Sequence, residues 1–168
     1  MNDQIRRLMD AMIEYDSGDP MRIHHFLKVH AFAAAIGRGE GLDERTQFIL
    51  EAAALVHDIG IHLAEETYGD CSGKYQEKIG PDETEEMMAG LGFSRDVIQR
   101  VRYLVGHHHT YDAVDGPDYR ILLEADFLVN LYEDSISPEG QQQAYEHIFQ
   151  TETGRRYCRA MYPVTETE

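Results

Sequence analysis

A chain of 168 residues suits one domain around a single sizeable core. Its formal charge of −16 argues against nucleic-acid polymers, whose binding depends on Lys and Arg neutralising phosphates, but admits a small anionic substrate if a local pocket reverses the field. The two cysteines, Cys71 and Cys158, form no CxxC or zinc-like spacing and fit a reducing cytoplasm better than a disulfide framework. No basic-then-apolar leader opens the chain, and no apolar run approaches the roughly 20 residues that span a bilayer. The expectation is a cytoplasmic protein without a membrane segment.

Nearly every apolar pattern has a helical period. Ile5, Leu8, Met9, Met12 and Ile13 recur at spacings of three and four, which predicts an amphipathic first helix. Asp19-Pro20 starts a second, with an N-cap acid and proline in the first turn. Its Ile23, Phe26, Leu27, Val29, Phe32, Ala33, Ala34 and Ile36 lie almost all round, so this helix should be central, and Gly37, Gly39 and Gly41 close it. Leu42-Asp43 opens a third helix through Phe48, Ile49, Ala52, Ala53 and Val56. From His62 to Gly80 the pattern weakens; "TYGDCSGKYQEKIGP" reads as a long irregular loop, and such loops are often functional. Helices resume at 81–91 and 94–109, a turn follows at 112–118, and "YRILLEADFLVNLYED" is another helix. Two shorter helices, 138–149 and about 152–161, precede a solvated tail. With no repeat and no alternating strand pattern, the expected fold is all-α, a compact bundle of about seven to eight helices.

Several polar residues sit where this pattern demands core. Asp126 has Leu122, Leu123 and Val129 as its helical neighbours, and an unpaired buried carboxylate is very costly, so it needs a cation, a web of donors or a metal. His25 opens the stripe that continues through Val29, Phe32 and Ile36, whereas His24 lies about a hundred degrees round, above Lys28. Alone, a histidine on an apolar face is ordinarily a satisfied core residue. His57 and Asp58 end the apolar run "AAALV", with Gly60 to break the helix so that both can face one point. His107, His108 and His109 end the helix whose stripe is Val97, Val101 and Leu104, with His108 its next member; a histidine run there can also be a cap. Imidazoles and carboxylates from four helices, each explaining the others' burial, are how helical bundles build metal sites. Nitrogen and oxygen donors without thiolate fit iron, manganese, zinc, nickel, cobalt or magnesium.

These residues resemble a family. "HFLKV" around His25, "LVHDIG" around His57-Asp58 and "LLEADFLVN" around Asp126 look like the His…His-Asp…Asp pattern of the HD-domain superfamily of metal-dependent phosphohydrolases, in the family's order over about residues 20–135, with 136–168 a C-terminal helical extension. The resemblance implies that His25, His57, Asp58 and Asp126 hold a divalent ion in the bundle core, with His57 and Asp58 serving catalysis. "GHHHTYD" resembles the His-His segment of the cyclic-dinucleotide-hydrolysing branch, aligning with His107, His108 and Asp112. That branch's Gly-Tyr-Pro signature is replaced by "DAVDGPDY", the lysine that often follows "HDIG" is Ile61, and a further histidine of those relatives is Gln76 here. One metal is therefore expected, with His107 and His108 completing a second, weaker site or binding phosphate.

The activity implied is hydrolysis of a phosphate monoester or diester of a small metabolite or nucleotide, with Asp58 orienting or deprotonating the water. Lys28, Lys74 and Lys78 are the candidates for the substrate phosphate, then Arg22 and Arg102; "CSGKYQEKIGP" is a candidate lid with Tyr75 stacking on a base or sugar. His30 and His62 are expected to be structural. Two rivals remain: a di-iron oxygenase of the same superfamily, and a non-catalytic helical module that keeps its metal as a staple. A homo-oligomer is left open.

Overall fold

The computed structural model describes residues 2–70 and 72–166, and among these it is all-helical. Nine helices run in the order α1 (Asp3–Tyr15), α2 (Pro20–Gly39), α3 (Glu44–Val56), α4 (Ile61–Tyr68), α5 (Gly73–Gly90), α6 (Arg95–Val105), α7 (Pro117–Glu133), α8 (Pro138–His147) and α9 (Glu152–Met161). The starts follow from local chemistry. Asp19 accepts a hydrogen bond from the Arg22 amide at 3.1 Å, and Asp43 accepts from Arg45 and Thr46 at 3.0 Å each, relieving amide groups that the first helical turn leaves unpaired.

The centre is α3. Every residue from Ile49 to Val56 is buried, with α2 and α7 packed on it, α1 alongside, and α6 of the α5–α6 pair against its remaining face. Helix α2 packs centrally but buries one broad face, His25 through Gly37, and leaves Met21, His24, Lys28, Ala31 and Arg38 exposed, so it is less enclosed than its composition predicts. By length and composition the stretch Glu44–Tyr68 would pass as a bilayer span, contrary to the sequence expectation. Its apolar side chains are instead core: Leu50 and Ala52 to Val56 are fully buried, and the stretch is broken by the turn between α3 and α4.

The largest correction lies at 62–80, which is helical apart from a short link. Helix α4 ends on Gly69 in the left-handed region, and α5 begins at Gly73 and runs through Pro81, where a helix start was expected. The buried stripe of α5 is Gln76, Gly80, Thr84 and Met88, spaced by fours but mostly small or polar, so no apolar periodicity announces it. Pro81 costs one helical hydrogen bond and is accommodated against Gly106, where an added Cβ would lie 3.1 Å from the proline ring. The lid therefore does not exist as a loop: 73–80 is helix, and Cys71 lies outside the described residues. The other correction is α6, which stops at Val105, so the three histidines occupy a turn rather than the last helical turn.

Candidate metal centre

Three helices deliver four side chains to one point. His25 comes from α2, His57 and Asp58 from the turn that ends α3, and Asp126 from α7. In that turn the amides of Ile59 and Ile61 bond to the carbonyls of Val56 and Asp58, three residues back, a tighter winding that brings adjacent His57 and Asp58 toward the same centre. His25 Nε2 lies 3.2 Å from His57 Nε2, 3.4 Å from Asp58 Oδ2 and 3.3 Å from Asp126 Oδ1; His57 Nε2 lies 3.4 Å from Asp58 Oδ2 and 3.6 Å from Asp126 Oδ1. His24, the rival on the same helix, is exposed.

The donor set decides what fits among them. His25 Nδ1 donates to Glu133 at 2.8 Å and His57 Nδ1 to the Ala54 carbonyl at 3.0 Å. With each outer nitrogen donating, the Nε2 lone pairs would be free to face an ion at the centre. Two imidazole nitrogens, each beside both carboxylates in a buried site, call for positive charge there. Donors about 2.0–2.2 Å from one ion stand roughly 2.8–3.1 Å apart at right angles and roughly 3.3–3.6 Å apart at tetrahedral angles. The spacings of 3.2–3.6 Å match such a shell. Without an ion, protons take its place. Burial pulls the His25 imidazole down, but the hydrogen bond to Asp126 and the charges of Asp58 and Asp126 outweigh it and push it up to about 9. Burial would raise Asp126, yet its hydrogen bonds to His25 and His57 hold it well below the ordinary carboxylate range, and His57 and His108 do the same for Asp58.

A second group adjoins the first through Asp58, whose Oδ1 lies 3.3 Å from His108 Nε2. Asp58, His108 and His109 offer donor atoms all within 4.8 Å of one another, as do His25, His57 and Asp58. His108 Nδ1 donates to the Val105 carbonyl at 2.8 Å, the same outward arrangement as in His57. His109 Nε2 lies 3.0 Å from Gln76 Oε1. Burial, then the charge of His108, push His109 down to about 4, so it is neutral at pH 7. Here the expected pair of histidines is shifted by one. His107 faces away, its ring stacked on Tyr103 and its Nδ1 donating to the Tyr103 carbonyl at 2.7 Å. Because α6 ends early, the turn sends His108 and His109 inward instead. Tyr119 holds that turn through the His107 carbonyl at 2.5 Å, and Glu77 holds it through the His109 amide at 3.0 Å. Asp112 is exposed.

Comparison with known proteins gives a family. The HD domain model matches residues 22–144. The chain belongs to the HD-domain family. Its fold is similar to the crystal structure of a predicted HD superfamily hydrolase from an uncultured Thermotogales bacterium, with a TM-score of 0.65, 24% identity, and coverage of 93% of this chain and 83% of that one. None of the curated proteins compared with it matches. In this HD domain the two His/Asp groups are where a divalent ion could be held.

Most of the basic residues expected at the substrate are otherwise engaged. Lys28 pairs with Glu133, and Arg22 with Glu65 at 2.7 Å, Asp19 at 3.1 Å and His62 at 2.8 Å. Arg102 pairs with Asp82 and Glu85 on the outer side of α5 and α6. Lys78 sits over the Tyr68 ring, Lys74 is exposed, and Tyr75 stacks on Tyr68 at 4.2 Å. His30 pairs with buried Glu51 at 3.3 Å, and His62 with Asp16 at 3.1 Å. Sequence reasoning missed His109, Asn130 and Glu133. Asn130, one turn after Asp126, donates to its Oδ1 at 2.8 Å, and that spacing was the available signal.

Proposed function

We propose that this protein is a metal-dependent hydrolase of phosphate esters, acting on a monoester or diester of a small metabolite or nucleotide. The observation that carries the reading is that His25 Nε2 and His57 Nε2 lie 3.2 Å apart and 3.3–3.6 Å from both Asp58 and Asp126, with the outer nitrogens of both histidines already committed to acceptors. A bound divalent ion would supply Lewis acidity toward a phosphoryl oxygen and lower the pKa of a water beside it. His25, His57 and Asp126 would hold it from the buried side. Asp58 faces outward: its side chain is 26% exposed, against 10% for His25 and Asp126 and 0% for His57, so it is the member placed to orient water and accept its proton. His108 is buried; burial pulls it down, but its hydrogen bond to Asp58 and that carboxylate's charge outweigh this and raise it. A proton held there serves to bind phosphate or to protonate a leaving oxygen.

The test is hydrolysis of an aryl phosphate by protein loaded with Mn, Co or Ni. His57→Ala and Asp58→Ala should each abolish turnover while the fold is retained; unchanged activity in both would overturn the proposal. One observation favours a second reading. Asp58, His108 and His109 form a second donor group, so two ions sharing Asp58 would suit a di-iron oxygenase. Two irons per chain after anaerobic purification, with oxygen uptake and no phosphate released, would move the assignment to that class.

A further inference from the structure

We propose that Glu133, braced by Lys28, is the positioning residue that sets how tightly the centre holds its ion, so that Lys28 serves the metal and not the substrate phosphate. This rests on the metal reading above.

Three histidines point Nε2 at the two donor groups with Nδ1 anchored behind, and only one anchor is a side chain. His57 and His108 give Nδ1 to the carbonyls of Ala54 and Val105, fixed parts of their own helices. His25 gives Nδ1 to Glu133 Oε2 at 2.8 Å, across from α2 to the last residue of α7. The other Glu133 oxygen is taken by the Lys28 ammonium. Lys28 lies three residues after His25 on α2, and Glu133 lies seven after Asp126 on α7, so each helix presents one donor to the centre and one outer residue on the same face. A carboxylate behind an imidazole fixes its ring and raises its basicity toward a cation more than a neutral carbonyl does. A lysine on that carboxylate holds its position while drawing off part of its charge. Among His25, His57 and His108, His25 is thus the one whose anchor is a side chain that substitution can adjust. The arrangement also explains why Lys28 stands next to the site without a free charge for an anion.

The experiment is Mn²⁺ binding to the ion-free full chain, followed by calorimetry or by electron paramagnetic resonance of free Mn²⁺, with thermal melting of each ion-free variant as the fold control. Glu133→Ala should weaken the first ion by about 10–100-fold, and Glu133→Gln, whose amide oxygen still accepts from Nδ1, should recover part of the loss. Should the alanine variant not fold, the near-isosteric glutamine variant is read alone, and weaker binding than the parent is expected. Lys28→Met should weaken binding less than Glu133→Ala and leave KM for an aryl phosphate unchanged. Equal affinity in parent and both Glu133 variants overturns the proposal while leaving the metal reading intact. A raised KM for Lys28→Met at unchanged ion affinity returns Lys28 to the substrate. A parent that binds no Mn²⁺, like a His57→Ala control, overturns both.

Discussion

His25 carries a consequence for pH that separates the two forms of the protein. In the ion-free fold it titrates near 9, whereas in the unfolded chain it reverts to about 6.5. The fold binds that proton more tightly, so protonation stabilises the ion-free protein fully below about 6.5, and the contribution is lost as pH rises to about 9. A divalent ion competes for the same lone pair and releases the proton on binding, so its affinity should tighten by roughly tenfold per pH unit over that window. Melting temperature against pH should therefore slope downward across that window without metal and stay nearly level with saturating Mn²⁺, because tighter binding offsets the lost protonation. Parallel slopes would show that the ion does not displace the His25 proton. At this scale the sequence was legible wherever burial could be inferred from a stripe: His25 against His24, and Asp126 among leucines. It misassigned the histidine triplet by one residue because α6 ends at Val105, and a turn points its side chains by local hydrogen bonds rather than by the 3.6-residue period.

Among the elements, the contact that sets the rim of the centre is the crossing of the α3–α4 turn over α5. Gly60 has ordinary right-handed backbone angles, so its role is not to break the helix as the sequence suggests. A Cβ there would stand 2.9 Å from the Gly80 amide nitrogen and 3.0 Å from the Gln76 carbonyl, both backbone atoms that cannot swing aside. Gly60→Ala should destabilise the fold by about 1–3 kcal/mol, read as a shifted urea midpoint at unchanged slope. It should also push α5 outward, carrying Gln76 away from His109. A midpoint within error of the parent would mean that the crossing is loose. Helices α1, α2, α3, α6 and α7 were readable because their buried faces are largely apolar. Helices α4 and α5 were not: α4 buries only Ala64, and α5 buries glutamine, glycine and threonine before Met88. What makes them helical is their packing partner, which no local pattern records.

For the molecule as a whole, a net charge of −16 opposes the approach of any phosphate ester, and the arginine and lysine nearest the centre do little to reverse it. Arg22 is shared between Asp19 and Glu65, and Lys28 is bound to Glu133. Attraction for the substrate must come from the ion at short range, against repulsion from the rest of the surface at long range. These two terms respond differently to salt, because a Debye length of about 30 Å at 0.01 M falls to about 10 Å at 0.1 M, longer than the separation of a bound phosphate from its ion. Screening therefore removes the repulsion first. For the Mn-loaded protein and a dianionic aryl phosphate, kcat/KM should rise as KCl is increased across that range, with kcat nearly constant. An uncharged ester of the same aryl group should show no such rise. A fall in kcat/KM with salt would reveal a positive steering field, and would place Lys74 and Lys78, the cations of α5 without a carboxylate partner described, back at the entrance.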